Sequence, residues 1–247
     1  LVLNVTVRSM KLHGGAFGDR GGIRPDKATL EAENVEATSL GAKTNLDRHI
    51  RNMASFGVPV VVSINRFTSD TDAEVAAISQ AAHESGASSV CITEVHARGG
   101  EGGKELAEAV VKAVQNHVAA GRPFVPLFTP ETDVLAKAEA IATRLYKADG
   151  LELTPKAKRE LERIRSWGYG HLPVCMAKTQ YSFSHDASLL GAPTGFNVPV
   201  REFRLNAGAG FVVAVLGNMM TMPGLPKRPA ALDMDMDEDG NLLGVFG

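Results

Sequence analysis

Apolar strand patterns alternate with helical patterns along the first half of the chain, and this alternation restricts the fold more than any other feature. The runs "LVLNVTV" at 1–7, "VPVVVSI" at 58–64 and "SSVCITEV" at 88–95 are almost continuously apolar. Strands of this kind are typical of parallel sheets that helices cover on both faces. We therefore predict an α/β fold with a mostly parallel sheet flanked by helices, followed by a C-terminal α/β region.

Capping residues place the helices of this first half. Asn45 is the predicted N-cap of "LDRHIRNMASF", and Gly57 is its predicted stop. Thr71 or Ser69 is expected to begin the next helix, which runs to Gly86. A further helix is predicted over "KELAEAVVKAVQNHV".

The remaining helices, strands and loops are predicted from weaker sequence patterns. A strand at 1–10 is expected to lead into a long glycine-rich loop, and "HARGGEGG" is expected to be a loop. Helices are predicted at 133–150 and, capped by Thr154, at 155–168, followed by a short strand in "HLPVCMAK" and a strand pair at 196–222. The acidic "DMDEDG" resembles the start of a calcium loop, but Phe246 stands where the loop needs glutamate, so a hairpin turning at Asp239-Gly240 is favoured.

Composition describes an ordinary globular chain. The chain has 247 residues, 44% of them hydrophobic, and a net charge of −2, which gives no general attraction to nucleic acid or to anionic membranes. Neither a membrane span nor a signal peptide is predicted. Cys91 and Cys175 lack a CxxC or Cys/His pattern, so we expect buried thiols in a reducing, cytoplasmic compartment and no metal site. Because the chain opens directly in a strand, we also expect it to be part of a longer protein.

Ligands in parallel sheets bind beyond the carboxyl ends of the strands, where 65–72 and 96–103 are expected to converge. Asn65 offers donors and an acceptor to the edge of a purine base, or it caps the following turn. Phe67 and His96 are placed to stack on a flat ligand, or they close the edge of the core.

The glycine-rich "RGGEGGK" does not fit a phosphate-binding P-loop. The first glycine of that pattern would fall on Arg98, and Glu105 follows Lys104 where Ser or Thr is required. Gly99 and Gly100 either let a ligand approach the backbone closely or form a flexible turn.

Several longer motifs match a known family in order. They are "TVRSMKLHGG", "FGVPVVVSINRFTSDTDAE", "GGEGG", "LPVCMAKTQYSFS", "LLGAPTGF", "VREFRLNAGAGF" and "MTMPGLPKRPAALDMDMDEDGN". Together they resemble the C-terminal part of formate–tetrahydrofolate ligase, whose phosphate-binding half lies N-terminal to them. The resemblance implies a P-loop-NTPase-like but incomplete fold, with 1–48 ending a larger nucleotide-binding domain and 49–247 forming a C-terminal α/β domain.

The resemblance also implies an activity. The family uses ATP with Mg²⁺ to join formate to tetrahydrofolate through formyl phosphate, giving 10-formyltetrahydrofolate, ADP and phosphate. The sequence does not decide whether a monovalent cation is also required. The expected partners are these substrates, the N-terminal half and further copies of the chain, without nucleic acid or membrane. The alternative is a catalytically silent fragment that acts as a binding or assembly module.

By resemblance, residues of this chain divide into three sets. Folate-binding residues would be Phe67 and His96 on the two faces of the pterin, with Gly99 and Gly100 beside them; bacterial members often carry tryptophan at the position of His96. Nucleotide-binding residues would be Asn65, Leu190, Gly191, Ala192 and Pro193. Catalytic residues would be Arg8, Lys11 and His13.

Overall fold

The computed structural model describes residues 1–17, 27–217, 228–238, 240 and 242–243 of the chain. Contacts divide the protein into two compact units, Leu1–Gly217 and Asn218–Gly247, which are described separately. Within the described ranges, no helix has both the length and the apolar character needed to cross a bilayer.

The first sheet of the larger unit has three parallel strands in the order β1 (Val2–Val5), β2 (Val61–Asn65) and β3 (Ser89–Thr93). Its helical elements are α1 (Val7–His13), α2 (Lys27–Glu31), α3 (Val35–Gly41), the π-helical segment Ala42–Leu46, α4 (Asp47–Ala54), α5 (Asp72–Glu84), α6 (Val95–Arg98), the 3₁₀ segment Gly99–Gly103 and α7 (Lys104–Ala119). The core contains fully buried side chains from strand and helix alike, including Val62, Ile64 and Ile78. The predicted parallel α/β architecture is therefore confirmed.

The start of the chain differs from the prediction of one long strand and a loop. The strand ends at Val5, and α1 begins at Val7 because Thr6 and Ser9 form a reciprocal capping box. The Thr6 hydroxyl accepts a hydrogen bond from the Ser9 amide at 3.1 Å. The valines favour a strand, but the capping pair satisfies amides at the helix start and turns the chain into a helix. The residues at 18–26 of the predicted loop lie outside the described ones.

Helix boundaries around β2 were predicted in part. Gly57 follows the end of α4 with a φ of +78°, and Thr71 caps α5 together with Glu74, as expected. Asn45 is not an N-cap, because α3, the π-helical segment and α4 are continuous from Val35 to Ala54. Its side chain instead hydrogen-bonds to a distant backbone carbonyl, described below.

The second sheet of this unit is mixed, with strand order β4 (Gly150–Leu153), β6 (Asn197–Asn206), β7 (Phe211–Leu216) and β5 (Val174–Ala177). The pairs β4–β6 and β5–β7 are parallel, whereas β6–β7 is antiparallel. Its helical elements are α8 (Val134–Ala140), the π-helical segment Ile141–Leu145 and α9 (Pro155–Ser166). The predicted short strand, strand pair and Thr154-capped helix are confirmed.

The prediction for 133–150 was too long. The helix ends at Leu145, and Lys147 adopts a left-handed φ of +59°, which breaks the helix before β4 begins. Cys91 is buried as predicted, but Cys175 is exposed because it lies on the edge strand β5 with its side chain toward solvent.

One polar helix face links the two sheets. Its residues recur at helical spacing along the π-helical segment and α4. The contacts are Asn45 with the carbonyl of Gly191, Arg48 with the carbonyl of Tyr146, His49 with the ring of Phe183, and Asn52 with the carbonyl of Leu145. We call Asn45, Arg48, His49 and Asn52 the linking face.

The predicted domain boundary at 48/49 stays a prediction. The first core contains Val7 and Leu46 from before that point and Ile50 and Val62 from after it. The smaller unit contains the 3₁₀ segment Ala230–Asp233 and a hairpin in which β8 (Asp235–Met236) pairs with β9 (Leu242–Leu243). This strand pairing agrees with the predicted hairpin, and Asp239 of its predicted turn lies outside the described residues.

Candidate functional site

The carboxyl ends of β2 and β3 lie side by side and carry the two predicted stacking residues. Asn65 pairs with Thr93, and the amide of Arg66 donates to the Thr93 carbonyl at 3.0 Å. Phe67, 37% exposed, follows β2, and exposed His96 follows β3 on α6. The structure thus brings both side chains to the same edge of the sheet.

Asp70 builds the turn that presents Phe67. Its carboxylate accepts a hydrogen bond from the Phe67 amide at 2.9 Å, and its own amide donates to the Phe67 carbonyl at 3.0 Å. Burial raises the pKa of Asp70, and the Phe67 hydrogen bond opposes that rise. The Asn65 side chain forms no hydrogen bond with any described residue, so a turn-capping role for it lacks a bond to support it. Its nucleotide-binding role stays a prediction.

Arg8 lies against Phe67. Its guanidinium carbon is 4.7 Å from the centroid of the ring, and one of its terminal nitrogens is 3.9 Å from the Glu31 carboxylate. Its Nε is buried without a hydrogen-bond partner among the described residues. One side of Phe67 therefore carries a cation, and the remaining exposed surface of the ring is available to a flat ligand.

Lys11, also predicted to be catalytic, is completely buried. Its ammonium group is 2.8 Å from the Glu74 carboxylate, and it donates to the carbonyls of Ala32 at 2.8 Å and Leu30 at 3.4 Å. The side chains of Lys11 and Glu74 are 1% and 0% exposed. A lysine held in this way cannot contact a substrate unless the core opens, so its contacts favour a structural role.

His13 meets the predicted nucleotide loop. The amide of Gly191 donates to His13 Nδ1 at 3.2 Å, so the structure brings together His13 and the segment Leu190–Pro193. Burial, and after it the neighbouring His49, lower the pKa of His13 to about 4. His13 is therefore a neutral acceptor at neutral pH.

A group of basic side chains surrounds Phe183 close to this loop. The Phe183 ring contacts His49 at 4.5 Å between centroids and Arg48 at 5.6 Å, and Lys178 donates to the neighbouring Ser182 carbonyl. Burial lowers the pKa of Lys178 to about 8. Burial also lowers the pKa of His49, and Lys178 and Arg48 act in the same direction. Sequence reasoning did not single out these residues, although the spacing of the linking face was a usable signal.

The predicted folate and nucleotide sets are connected through helix α1 and not through a direct hydrogen bond between them. No hydrogen bond among the described residues joins Asn65 to Leu190–Pro193. Helix α1 instead runs between the two regions, with Arg8 on Phe67 and His13 on Gly191, about 7.5 Å apart along the helix axis.

The segment after β3 is more regular than predicted. The expected loop at 96–103 consists of the last residues of α6 and a 3₁₀ segment, because the amides of Ala97 and Arg98 bond back to the Glu94 carbonyl. Gly99 and Gly100 are exposed there, and a Cβ on either would meet no atom. In the described residues, no three His, Cys, Asp or Glu side chains gather in a way that could hold a metal ion.

An α/β protein whose partly or fully exposed aromatic, amide and basic side chains lie at the carboxyl ends of parallel strands has the design of a ligand-binding α/β enzyme. Residues 1–246 match the formate–tetrahydrofolate ligase family, and the chain belongs to it. The family resemblance drawn from the motifs is therefore confirmed.

Individual relatives agree. The chain is 48% identical over 245 residues to the formate–tetrahydrofolate ligase of Maricaulis maris (strain MCS10), covering 99% of this chain and 42% of the relative. It is 47% identical over 247 residues to the enzyme of Symbiobacterium thermophilum and 48% over 246 residues to that of Roseobacter denitrificans (strain ATCC 33942 / OCh 114), in each case across 100% of this chain and 42% of the relative. The chain thus spans less than half the length of the curated relatives that it matches.

Proposed function

We propose that this chain supplies the folate-facing surface, and part of the nucleotide-facing surface, of a formate–tetrahydrofolate ligase. The main support is a pair of exposed rings at adjacent strand ends in a chain of this family. One ring is Phe67, which Arg8 contacts, and the other is His96 on α6. The rest of the family's length would provide most of the phosphate-holding groups.

The chemistry explains why such a surface is needed. Formate is an anion that resists nucleophiles, so ATP first phosphorylates it to formyl phosphate with release of ADP. The folate amine then attacks the formyl carbon and displaces phosphate, giving 10-formyltetrahydrofolate. Because water would hydrolyse formyl phosphate, the folate must be held against it in a closed site, where proximity contributes up to about 7–11 kcal/mol.

Residues of the predicted binding sets have proposed parts in this reaction. Phe67 and His96 hold the two faces of the pterin, and Gly99 and Gly100 let the folate lie close to the backbone. Arg8, whose guanidinium lies against the Phe67 ring, would face the negative charge of formyl phosphate. Asn65 would bind the adenine edge of MgATP. Leu190–Pro193 would line the nucleotide, and the complete enzyme would be a cytoplasmic homo-oligomer.

A second candidate is a binding or assembly module without activity. This candidate is favoured for the chain alone because the chain covers only 42% of the relative's length. Mixing the chain with a fragment that supplies the rest of a relative's length separates the two. Restored formate-dependent ATP hydrolysis coupled to formyl transfer supports the ligase, whereas persistent inactivity of well-folded mixtures supports the module.

Replacing Phe67 with alanine tests the folate surface. In the complemented enzyme, Phe67→Ala is expected to raise the KM for tetrahydrofolate roughly two- to tenfold, because a lost stacking contact is worth about 0.5–1.5 kcal/mol, and to leave the KM for ATP unchanged. Phe124→Ala is the matched control, since Phe124 is also exposed and stacks on Phe56 elsewhere. An equal rise in both constants would remove Phe67 from the pterin site.

Replacing Asn65 with alanine tests the nucleotide assignment. Asn65→Ala is expected to raise the KM for ATP several-fold with little effect on tetrahydrofolate, because the amide would lose its hydrogen bonds to the base. Initial-rate kinetics with each substrate varied in turn measure this, with the exposed Asn116→Ala as control. An unchanged KM for ATP would contradict the assignment of Asn65 to the nucleotide site.

A further inference from the structure

The backbone amide and the backbone carbonyl of Gly191 are bound by two different helical segments. Its amide donates to His13 Nδ1 on α1 at 3.2 Å, and its carbonyl accepts from Asn45 Nδ2 in the π-helical segment at 3.1 Å. Gly191 is buried with a φ of +71°, and a Cβ there would lie 3.0 Å from the hydroxyl oxygen of Thr44. The backbone conformation therefore favours glycine, and a Cβ would in addition crowd the Thr44 side chain.

The direction of the first hydrogen bond fixes the state of His13. Because the Gly191 amide is the donor, Nδ1 must carry a lone pair, and the ring proton must be on Nε2. The basic groups around the ring also disfavour a protonated His13. His49 lies close to His13, and Lys178 and Arg48 lie close to His49. Burial, and after it His49, keep the pKa of His13 low, at about 4, so a positive charge on His13 is disfavoured at neutral pH.

The segment before Gly191 is itself tightly bonded. The Ser182 hydroxyl donates to the Leu189 carbonyl at 2.5 Å, and the Ser184 hydroxyl donates to the Asp186 carbonyl at 2.9 Å. Both serines are buried. Fixing Gly191 therefore fixes one end of an ordered loop, because the loop has its own internal hydrogen bonds.

We propose that His13 and Asn45 are positioning residues that clamp Gly191 and thereby set the nucleotide-facing shape of Leu190–Pro193. His13 acts in this clamp as a neutral hydrogen-bond acceptor and not as a cation that holds phosphate. The clamp itself stands on the contacts above, whereas its effect on ATP rests on the proposed function.

Two substitutions of His13 separate the acceptor from the charge. His13→Asn keeps an acceptor at the position of Nδ1 without a charge, whereas His13→Lys keeps a charge without an acceptor. In the 247-residue chain, we expect amide hydrogen exchange in 182–193 to accelerate about tenfold in His13→Ala and His13→Lys, which corresponds to one lost hydrogen bond, and to be restored in His13→Asn. The exposed His83→Ala is the control. Unaltered exchange in His13→Ala, or rescue by lysine instead of asparagine, would overturn the clamp.

Kinetics of the complemented enzyme test the link to nucleotide. The same variants are expected to raise the KM for ATP in the order of their exchange rates, with an unchanged KM for tetrahydrofolate and no new pH dependence between pH 6 and 8. Faster exchange with an unaltered KM for ATP would overturn the nucleotide role of the loop and leave the clamp standing. Failure of complementation would concern the proposed function alone, because the exchange experiment does not require activity.

Discussion

At the scale of single residues, the buried ion pair of Lys11 and Glu74 has the largest expected effect on stability. Glu74 accepts from Lys11 and from the amides of Asn34 and Thr71. Among the described residues, Glu74 is the acid that forms an ion pair with Lys11, whereas Asp70 interacts with Lys11 only at longer range. Glu74→Gln leaves a buried ammonium without its counter-charge. We expect the free energy of unfolding to fall by about 3–5 kcal/mol, measured by urea denaturation.

The exposed pair of Asp47 and Arg51 is the matched control. Its partners are 2.8 Å apart but largely solvated, so Arg51→Ala should change the free energy of unfolding by less than about 1 kcal/mol. Equal effects of Glu74→Gln and Arg51→Ala would show that burial of the Lys11 pair does not determine its strength.

The same pair predicts a dependence on pH. Burial raises the pKa of Glu74, but hydrogen bonds from Lys11, Asn34 and Thr71 lower it more, so the pKa in the folded state lies below its ordinary value. The stabilisation is therefore present above the unfolded-state pKa and is lost as pH falls through the folded-state pKa. Glu74→Gln should remove this part of the acid sensitivity.

Sequence reasoning found the chemical type of these residues but not their burial. Lys11 stands in a basic motif and looks available to a substrate, yet its partner Glu74 lies far along the chain. Phe67 could be placed because its position depends only on where β2 ends, which local apolar pattern predicts. The roles of Lys11 and His13 depend on tertiary contacts, which no local pattern contains.

At the scale of helices and strands, local signals decided which predictions succeeded. The helices α5 and α9 begin at threonine caps, and β2 and β3 are short apolar runs between turn residues. The two π-helical segments and β4 had no comparable signal. The π-helical segments lie beside long-range contacts, since Asn45 in one reaches Gly191 and the last residue of the other accepts from Asn52. Such insertions often mark functional regions of helices.

The crossing of α1 and α3 depends on the absence of a side chain at Gly41. A Cβ at that position would overlap the carbonyl oxygen of Met10, so the two helix backbones must separate to admit it. Gly41→Ala is expected to lower the free energy of unfolding by about 1–3 kcal/mol despite the better helix propensity of alanine, as measured in urea.

Gly208 in the turn between β6 and β7 is the control for Gly41, since a Cβ there meets nothing within 4 Å. Gly208→Ala should be neutral to within about 0.5 kcal/mol. A neutral Gly41→Ala would mean that α1 and α3 can separate without cost.

At the scale of the whole molecule, Leu1–Gly217 contains two cores that share one compact unit. One core surrounds the parallel sheet, and the other surrounds the mixed sheet. The linking face joins them through polar contacts, two of which involve the buried amides Asn45 and Asn52. Because buried amides are costly when they lose their partners, this face should couple the folding of the two cores.

This coupling can be measured with probes that the chain already carries. Trp167, the one tryptophan in the sequence, follows α9 and reports on the second core, whereas the buried thiol of Cys91 reports on the first sheet. Labelling in a Cys175→Ser background avoids the exposed thiol. In the parent chain, we expect urea curves from Trp167 fluorescence and from Cys91 reactivity to coincide.

The double variant Arg48→Ala with Asn52→Ala removes two contacts of the linking face. We expect the two curves to separate by roughly 1 M urea, because two hydrogen bonds of about 1 kcal/mol each are lost and the slope of unfolding is about 2 kcal/mol per molar urea. The exposed pair Arg159→Ala with Asn116→Ala should leave the curves coincident. Coincident curves in the first variant would mean that apolar packing, and not the linking face, joins the two cores. The clamp on Gly191 lies in the same region. In that case it would fix a loop within one cooperative folding unit and would not contribute to an interface between two separately unfolding cores.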